Sequence, residues 1–238
     1  MYSKTRIIVL HKTNYSENSI VIQALALDYG KISFLVSAVK GKKSKVGLAL
    51  FEPLSILDIV ANFKDLEKLI RPKEIKLNTP FFDIRSNMGK RMIVLFLSEL
   101  LNKSIKEPHP DREMFLFIES ALKYLEITQE SIANFHIVFL KELTRYLGFQ
   151  PNLKQGYYFD MEEGVFTDVL PKSSAYLEGE KKDMFAAMLG TKIDNCYTLN
   201  FNSSERKLIL DSLIRYYQIH IPGLSNLKSQ GVLEALFV

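Results

Sequence analysis

Residues 6–39 read RIIVLHKTNYSENSIVIQALALDYGKISFLVSAV, and three short runs of branched apolar residues in this stretch decide the fold. The runs occupy residues 7–10, 20–22 and 32–39. Short runs rich in branched residues are typical of β-strands. Asp28-Tyr29-Gly30 separates the last two runs, and glycine supplies the positive φ that a tight turn needs. We therefore predict a β-hairpin at this turn.

Two more strand-like runs follow, at residues 50–60 and 66–77. Pro53 lies near the start of the first run and Pro72 interrupts the second, where it cannot donate to a sheet ladder. Five short strands in about 75 residues are too few for a two-sheet sandwich and fit a small barrel. We predict an OB-fold barrel over residues 1–80.

The hydrophobic period changes after Pro80, and the apolar positions of residues 92–101 fall on one helical stripe. Asp111 is the expected N-cap of a second helix. A third helix is predicted over about residues 131–147, with Gly148 as its left-handed terminator.

The rest of the chain is predicted to contain a hairpin within residues 152–170 and a long helix that has Ser204 as its N-cap. The fold class is therefore α+β, with an OB-fold barrel over residues 1–80 followed by a mainly α-helical domain over residues 81–238.

The net charge of +4 is unevenly distributed along the chain. Residues 1–80 carry 13 Lys+Arg against 7 Asp+Glu, whereas residues 81–238 carry 18 against 20. A concentrated positive field attracts polyanions, so nucleic acid is the partner expected for the first third.

Cys196 is the only cysteine, which excludes an intramolecular disulfide and a cysteine-rich zinc site. With no signal peptide or apolar span in the sequence, we expect a cytoplasmic protein without membrane contact.

The sharpest local feature is a lysine cluster between two predicted strands, KGKKSK at residues 40–45. Lysines bind phosphates as point charges, and the glycine lets a backbone approach closely. A solvated loop is the alternative interpretation. The candidate DNA-binding residues are Lys40, Lys42, Lys43, Lys45, Arg6, Lys31, Arg71 and Lys73, with a continuation onto Arg85, Lys90 and Arg91. Tyr15, Tyr29, Phe34 and Phe63 are possible stacking platforms, although most are expected in the core.

Catalytic signatures are absent from the sequence, and the four histidines have no metal-ligand spacing, so no catalytic residue, cofactor or metal is expected. An enzyme that uses Asp160, Glu162, Glu163 and Asp168 is a weak rival, because no base and nucleophile pair accompanies these carboxylates. A charged turn is the better interpretation of residues 160–163.

A second candidate site lies on the late helix. Its apolar stripe is edged by Arg206, Lys207 and Arg215, and such a slot suits an acidic, hydrophobic peptide tail.

The order and spacing of several short motifs resemble the RecO family of bacterial recombination mediators, nearly from end to end. The motifs are YSENS at 15–19, Gly30 ahead of VKGKKS at 39–44, FEP at 51–53, GFQPNL at 148–153 and LKS at 227–229. The resemblance implies a protein that binds single- and double-stranded DNA, anneals complementary strands and works with RecR. It also implies that the protein helps to load RecA on strands coated by single-strand-binding protein, whose acidic tail would dock on the helical domain.

The chain departs from the family pattern at one place. Many members carry a zinc module of paired cysteines after the Gly-Phe-x-Pro turn, whereas this chain has Gly156 and Phe159 where the first pair would fall. We therefore expect this hairpin to be held by packing of Tyr157, Tyr158, Phe159 and Phe166. The residues alone leave one main alternative open, an OB-fold RNA-binding protein of translation or RNA processing.

Overall fold

The computed structural model describes residues 1–37, 47–106, 109–152, 154–224 and 226–237. The chain forms two compact units, Met1–Glu126 and Ile127–Val238. The first contains a five-stranded antiparallel sheet with helices, and the second is mainly helical with a three-stranded sheet. The predicted α+β class, an N-terminal OB-like barrel followed by a helical region, is confirmed.

The first unit contains five strands and three helices: β1 Ser3–Ser16, β2 Ser19–Ala26, β3 Gly30–Ser37, β4 Ile56–Ala61, β5 Pro72–Thr79, α1 Asp83–Ser86, α2 Met88–Ser104 and α3 Arg112–Ile127, whose last residue opens the second unit. The second unit continues with α4 Phe135–Tyr146, β6 Tyr158–Asp160, β7 Val165–Thr167, β8 Tyr176–Glu178, α5 Gly179–Leu189, α6 Ser203–His220 and α7 Gln230–Phe237.

The five strands are arranged in the order β3-β2-β1-β4-β5. A parallel bridge between Phe34 of β3 and Ile70, just before β5, brings the two ends of the sheet together. Its hydrogen bonds run from Leu35 N to Ile70 O at 2.9 Å and from Ile70 N to Ser33 O at 3.0 Å. A five-stranded sheet that closes in this way is the OB-fold architecture.

The continuous apolar run at residues 7–10 is explained by burial on both faces of β1. Ile7 and Val9 point into the barrel core, and both are at most 1% exposed. Ile8 and Leu10 are equally buried on the other face, where α2 packs against β1 and the Ser98 hydroxyl donates to the Leu10 carbonyl. A strand covered on both faces loses the alternation of apolar and polar residues that a half-exposed strand shows.

The predicted turn at Gly30 is confirmed. Gly30 has a φ of +70°, and a Cβ added there would lie 2.4 Å from the backbone oxygen of His109. Both the backbone conformation and the close approach of a neighbouring segment therefore require glycine at this position.

Three element boundaries differ from the predictions. The run at residues 50–60 is not one strand, because a 3₁₀ turn over Leu48–Phe51 and Leu54, at a φ of +56°, precede β4. The run at residues 66–77 becomes a strand only from Pro72, where the missing N–H costs least. The third helix begins at Phe135 instead of about residue 131.

The helix caps were predicted with mixed success. Asp111 caps α3 as expected, with its Oδ1 accepting from Met114 N at 2.8 Å. Gly148 has the predicted positive φ, at +84°, after α4. Ser204 was wrong as the cap of α6, because Asn202 takes this role in a capping box with Glu205. The two reciprocal hydrogen bonds of the box measure 3.0 and 2.7 Å and satisfy two backbone donors.

The sheet of the first unit ends at Thr79, and α1–α3 belong to the same compact unit. The domain boundary at residue 80 stays a prediction. Across the described parts of the chain, no helix has both the length and the apolar character needed to cross a membrane.

Candidate nucleic-acid interface

The lysine cluster contributes four of the 13 basic residues in the first 80 positions. Lys40, Lys42, Lys43 and Lys45 lie outside the described residues, and their role stays a prediction. The remaining candidates divide into cations that the fold uses internally and cations that face solvent.

Arg6 belongs to the internal group. Its Nη1 donates to both carboxylate oxygens of Glu119 on α3, at 2.9 and 2.7 Å, and Lys123 Nζ donates to the same carboxylate at 2.7 Å. Burial alone would raise the pKa of Glu119, but hydrogen bonds from Lys123 and Arg6 hold this pKa below its usual value. The Glu119 side chain is only 4% exposed. Removing Arg6 would therefore leave a nearly buried carboxylate with one of its two cationic partners, Lys123.

Lys31 and Lys90 also serve the fold. The Lys31 ammonium donates to the carbonyl oxygens of Asn102 and Ile105 at the end of α2, where a cation complements the helix dipole, and burial lowers its pKa. Lys90 is only 3% exposed, and its Nζ lies 2.6 Å from Asp83 Oδ2 and 3.2 Å from the Glu126 carbonyl oxygen. We therefore expect these two lysines to join structural elements.

Four candidates remain exposed on the first unit. Arg71 and Lys73 lie at the start of β5, with Lys73 Nζ 5.1 Å from the centre of the exposed Tyr2 ring. Arg85 of α1 and Arg91 of α2 line one surface pocket of about 470 Å³. The structure thus brings Arg85 and Arg91 together and separates them from their sequence neighbour Lys90.

The aromatic candidates fall mainly in the core, as expected. Tyr29 stacks on Phe63 with ring centres 4.2 Å apart, and Phe34 meets the edge of Phe63 and is fully buried. Tyr15 is the exception at 64% exposure. Of the four predicted platforms, Tyr15 is therefore the ring available to an unstacked base.

The predicted hairpin of the second unit is present as β6 and β7, and an aromatic cluster holds it. Phe159 is fully buried and lies 4.9 Å from Phe166, 4.7 Å from Phe185 and 5.8 Å from Tyr216 between ring centres. Packing by Phe159 and Phe166 is confirmed. The expectation for Tyr157 was wrong, because this side chain is 74% exposed.

The late-helix candidates occupy two sides of α6. Lys207 and Arg215 line a cavity of about 960 Å³ whose lining also includes Met161, Leu177 and Leu208. The same lining carries Glu178, Glu180 and Asp211 besides Lys181, so it has mixed charge. Arg206 is not part of this lining, and its side chain donates to the backbone carbonyls of Phe201 and Phe237.

The carboxylates considered for catalysis organise turns. Asp160 Oδ1 accepts from the backbone N–H groups of Glu162 and Glu163 at 2.9 and 3.2 Å, which confirms the charged-turn interpretation. Asp168 Oδ1 accepts from Tyr157 N at 3.2 Å. Among the residues that the structure describes, no cluster of three or more histidine, cysteine or acidic side chains is arranged to hold a metal ion.

The His136 imidazole and the Cys196 thiol are also buried in the second unit. Burial, together with the charge of Arg206, lowers the pKa of His136 to about 3, so its imidazole is neutral at pH 7. Burial raises the pKa of the Cys196 thiol to about 11, which keeps it protonated. A buried neutral imidazole and a buried protonated thiol are typical of structural side chains.

The burial of Lys90 could have been read from the sequence. Lys90 precedes Ile93, Val94 and Leu97 by three, four and seven positions, so all four lie on one helical stripe, and the stripe is buried. No sequence pattern predicts that Arg85 and Arg91 line the same pocket, because this depends on the angle at which α1 joins α2.

Comparison with known proteins agrees with this architecture. The family model described as Recombination protein O N terminal matches residues 1–81, and Recombination protein O C terminal matches residues 85–230. The chain is 38% identical to the DNA repair protein RecO of Flavobacterium psychrophilum and 31% identical to that of Azobacteroides pseudotrichonymphae, over 100% of both chains in each case. It is 34% identical to the DNA repair protein RecO of Bacteroides fragilis, again over 100% of both chains. Full-length matches at these identities, together with an OB-like barrel followed by helices, show that this chain belongs to the RecO family of DNA repair proteins.

Proposed function

We propose that the chain is a non-catalytic recombination mediator that binds single- and double-stranded DNA, with residues 1–80 as its DNA-binding domain. The observation that carries the proposal is an OB-fold barrel, in a family of DNA repair proteins, with exposed cations on one unit. The exposed cations are Arg71, Lys73, Arg85 and Arg91, and the lysine cluster Lys40, Lys42, Lys43 and Lys45 is the largest local source of positive charge.

Such a surface would bind DNA mainly through phosphates. Each neutralised phosphate releases condensed counterions, so affinity should fall steeply with salt and depend little on sequence. Two strands held at one basic surface repel each other less, and base pairing then supplies the free energy of annealing. No residue has to act as an acid, base or nucleophile in this mechanism.

The mediator role requires protein partners as well as DNA. We propose that the chain works with RecR in the cytoplasm and helps to load RecA on strands coated by single-strand-binding protein. The cavity beside α6, whose lining includes Lys207 and Arg215 together with Leu177 and Leu208, is the proposed site for the acidic tail of single-strand-binding protein. Because the lining also contains carboxylates, binding would depend on the apolar part of the tail more than on charge alone.

The test is binding of a fluorescent single-stranded DNA oligomer across a salt series, with strand annealing followed in the same samples. Charge reversal of the cluster, Lys42→Glu with Lys43→Glu, should weaken binding several-fold. It should also reduce the salt slope by about 1.4, since each phosphate contact on a single strand contributes about 0.7. Faster annealing by the unmodified protein, and its loss in the double variant, is the accompanying result.

A matched control reverses two exposed lysines of the second unit, Lys172→Glu with Lys192→Glu, and should leave DNA binding unchanged. Equal binding by the cluster variant and the unmodified protein would show that the cluster is only a solvated loop. RNA competes in the same assay, and a strong preference for RNA over single-stranded DNA would replace the DNA proposal with the RNA-binding alternative.

A further inference from the structure

The pocket that contains Arg85 and Arg91 has an apolar interior. One wall comes from the 3₁₀ turn and the residues after it, including Ala49 and Pro53, and the other from α1 and α2, including Ile84, Met92 and Leu95. Its volume of about 470 Å³ falls within the range of roughly 300–1,000 Å³ that small-molecule sites occupy. A pocket of this size and polarity suits a flat, largely apolar group better than a bare phosphate.

The rim of the same pocket is positive. Arg85 and Arg91 are exposed, and neither forms an ion pair with any residue that the structure describes. Glu52 is the only carboxylate in the described lining, and it lies 3.8 Å from Lys12 Nζ. Arg85 Nη2 donates to the Ala49 carbonyl oxygen at 3.5 Å, and this single long hydrogen bond leaves other donors of the two guanidinium groups available to an anion at the mouth of the pocket.

The pocket wall is also close to the lysine cluster along the chain. Ala49 follows Lys45 by four positions, and consecutive Cα atoms are about 3.8 Å apart, so at most about 15 Å of chain separates the two residues. A single DNA strand that crosses the cluster is then in reach of the two arginines. This continuity of positive charge favours nucleic acid over an acidic peptide as the occupant.

We propose that this pocket receives one unstacked nucleotide of single-stranded DNA, with the base against the apolar walls and the flanking phosphates on Arg85 and Arg91. The inference rests on the proposed DNA-binding function and specifies which form of DNA the site selects. A base in a duplex is paired and stacked, whereas a base in a single strand is free to enter a pocket. The pocket makes the protein sensitive to bases as well as to phosphates.

The test fills the pocket after the protein has folded. Ala49 is exposed, and the native Cys196 is buried and holds a protonated thiol, so an Ala49→Cys variant can be labelled selectively with benzylmaleimide. An Ala187→Cys variant, at an exposed position on α5, is labelled in the same way as the control. Each protein is titrated, before and after labelling, with an oligothymidylate and with an abasic oligomer of equal phosphate number.

The expected result is that unlabelled protein binds the oligothymidylate about fivefold or more tightly than the abasic oligomer, the lower limit of what one stacked base contributes. Labelling at position 49 should abolish this preference and leave abasic binding unchanged, whereas labelling at position 187 changes neither. Equal, salt-dependent binding of both oligomers would overturn the pocket and leave the proposed function standing. A base preference that survives labelling at position 49 would also overturn the pocket, and failure of both oligomers to bind at low salt would remove the proposed function together with it.

Discussion

The two compact units attach their sheets to their helices by different means. In the first unit, charged side chains add polar connections to the packing of α2 on β1, with Arg6 bound to Glu119 of α3 and Lys31 bound to the carbonyls at the end of α2. In the second unit, rings make the connection, with Phe159 of the small sheet packed on Phe185 of α5 and Tyr216 of α6. A cation in the first unit is therefore weaker evidence of a ligand site than its residue type suggests.

The difference also separates stability from function within the basic first third. Arg6, Lys31 and Lys90 bond to groups within the unit, whereas Arg71, Lys73, Arg85 and Arg91 are the described candidates that face solvent. Substitution of an internal cation should change the free energy of unfolding, and substitution of an exposed one should change binding.

The largest effect is expected at the aromatic cluster of the second unit. Phe159→Ala removes a fully buried ring that contacts Phe166, Phe185 and Tyr216, and should lower the free energy of unfolding by about 3–5 kcal/mol. Urea unfolding followed by circular dichroism measures this change. Zinc added to the purified variant should restore none of it, because the described residues offer no cluster of three or more histidine, cysteine or acidic side chains that could hold the ion.

Tyr157→Ala is the matched control for this prediction, since the side chain belongs to the same hairpin and is 74% exposed. Its effect should stay within about 0.5 kcal/mol. Similar losses in the two variants would mean that the hairpin is held by something other than the Phe159 cluster, and the contrast between the units would disappear.

The pH dependence of stability should distinguish the two units. In the second unit the folded state lowers the pKa of His136 to about 3, against an ordinary value near 6.5. Its contribution to the free energy of unfolding is therefore complete above pH 6.5, and it is lost as the pH falls below that value, because the unfolded state then binds a proton that the folded state does not. Between pH 7 and pH 5 the loss should be about 2 kcal/mol. In the first unit the lowered pKa of Glu119 acts at lower pH, because its contribution persists until the pH falls below the ordinary value of 4.5.

The measurement is urea unfolding at pH 7 and pH 5 for the unmodified protein and for His136→Leu. The variant should lose about 2 kcal/mol less than the unmodified protein between these two pH values, since it has no imidazole to protonate. An identical pH response of both proteins would show that His136 is not the group that makes the fold acid-sensitive in this window.

Much of the fold could be predicted because local chemistry decides it. The turn at Gly30, the cap at Asp111 and the terminator at Gly148 follow from single residues whose conformational preferences are strong. The start of α6 was harder, since Asn202 and Ser204 are both good caps and the reciprocal bonds with Glu205 decide between them. The candidate site was the least predictable part, because charge alone does not reveal whether a carboxylate such as Glu119 lies across the unit from Arg6.

Two adjacent residues allow the closest comparison of a cation used by the fold with a cation exposed to solvent. Lys90 and Arg91 are adjacent cations on α2, yet Lys90 is buried against Asp83 and the Glu126 carbonyl, while Arg91 is exposed at the pocket rim. Lys90→Met keeps the length of the side chain and removes its charge. It should lower the free energy of unfolding by about 1.5 kcal/mol, the lower end for hydrogen bonds with a charged partner, because Asp83 remains partly hydrated.

Arg91→Ala should change DNA binding and leave the free energy of unfolding nearly unchanged. Its effect on unfolding should stay within about 0.5 kcal/mol, as for other exposed substitutions. Its salt slope for single-stranded DNA should fall by about 0.7, the value for one phosphate contact. The DNA affinity of folded Lys90→Met protein should equal that of the unmodified chain, since a buried ammonium contacts no phosphate. Reduced DNA affinity in Lys90→Met with no loss of stability would reverse the assignment and place the buried lysine, instead of the exposed arginine, in the DNA path.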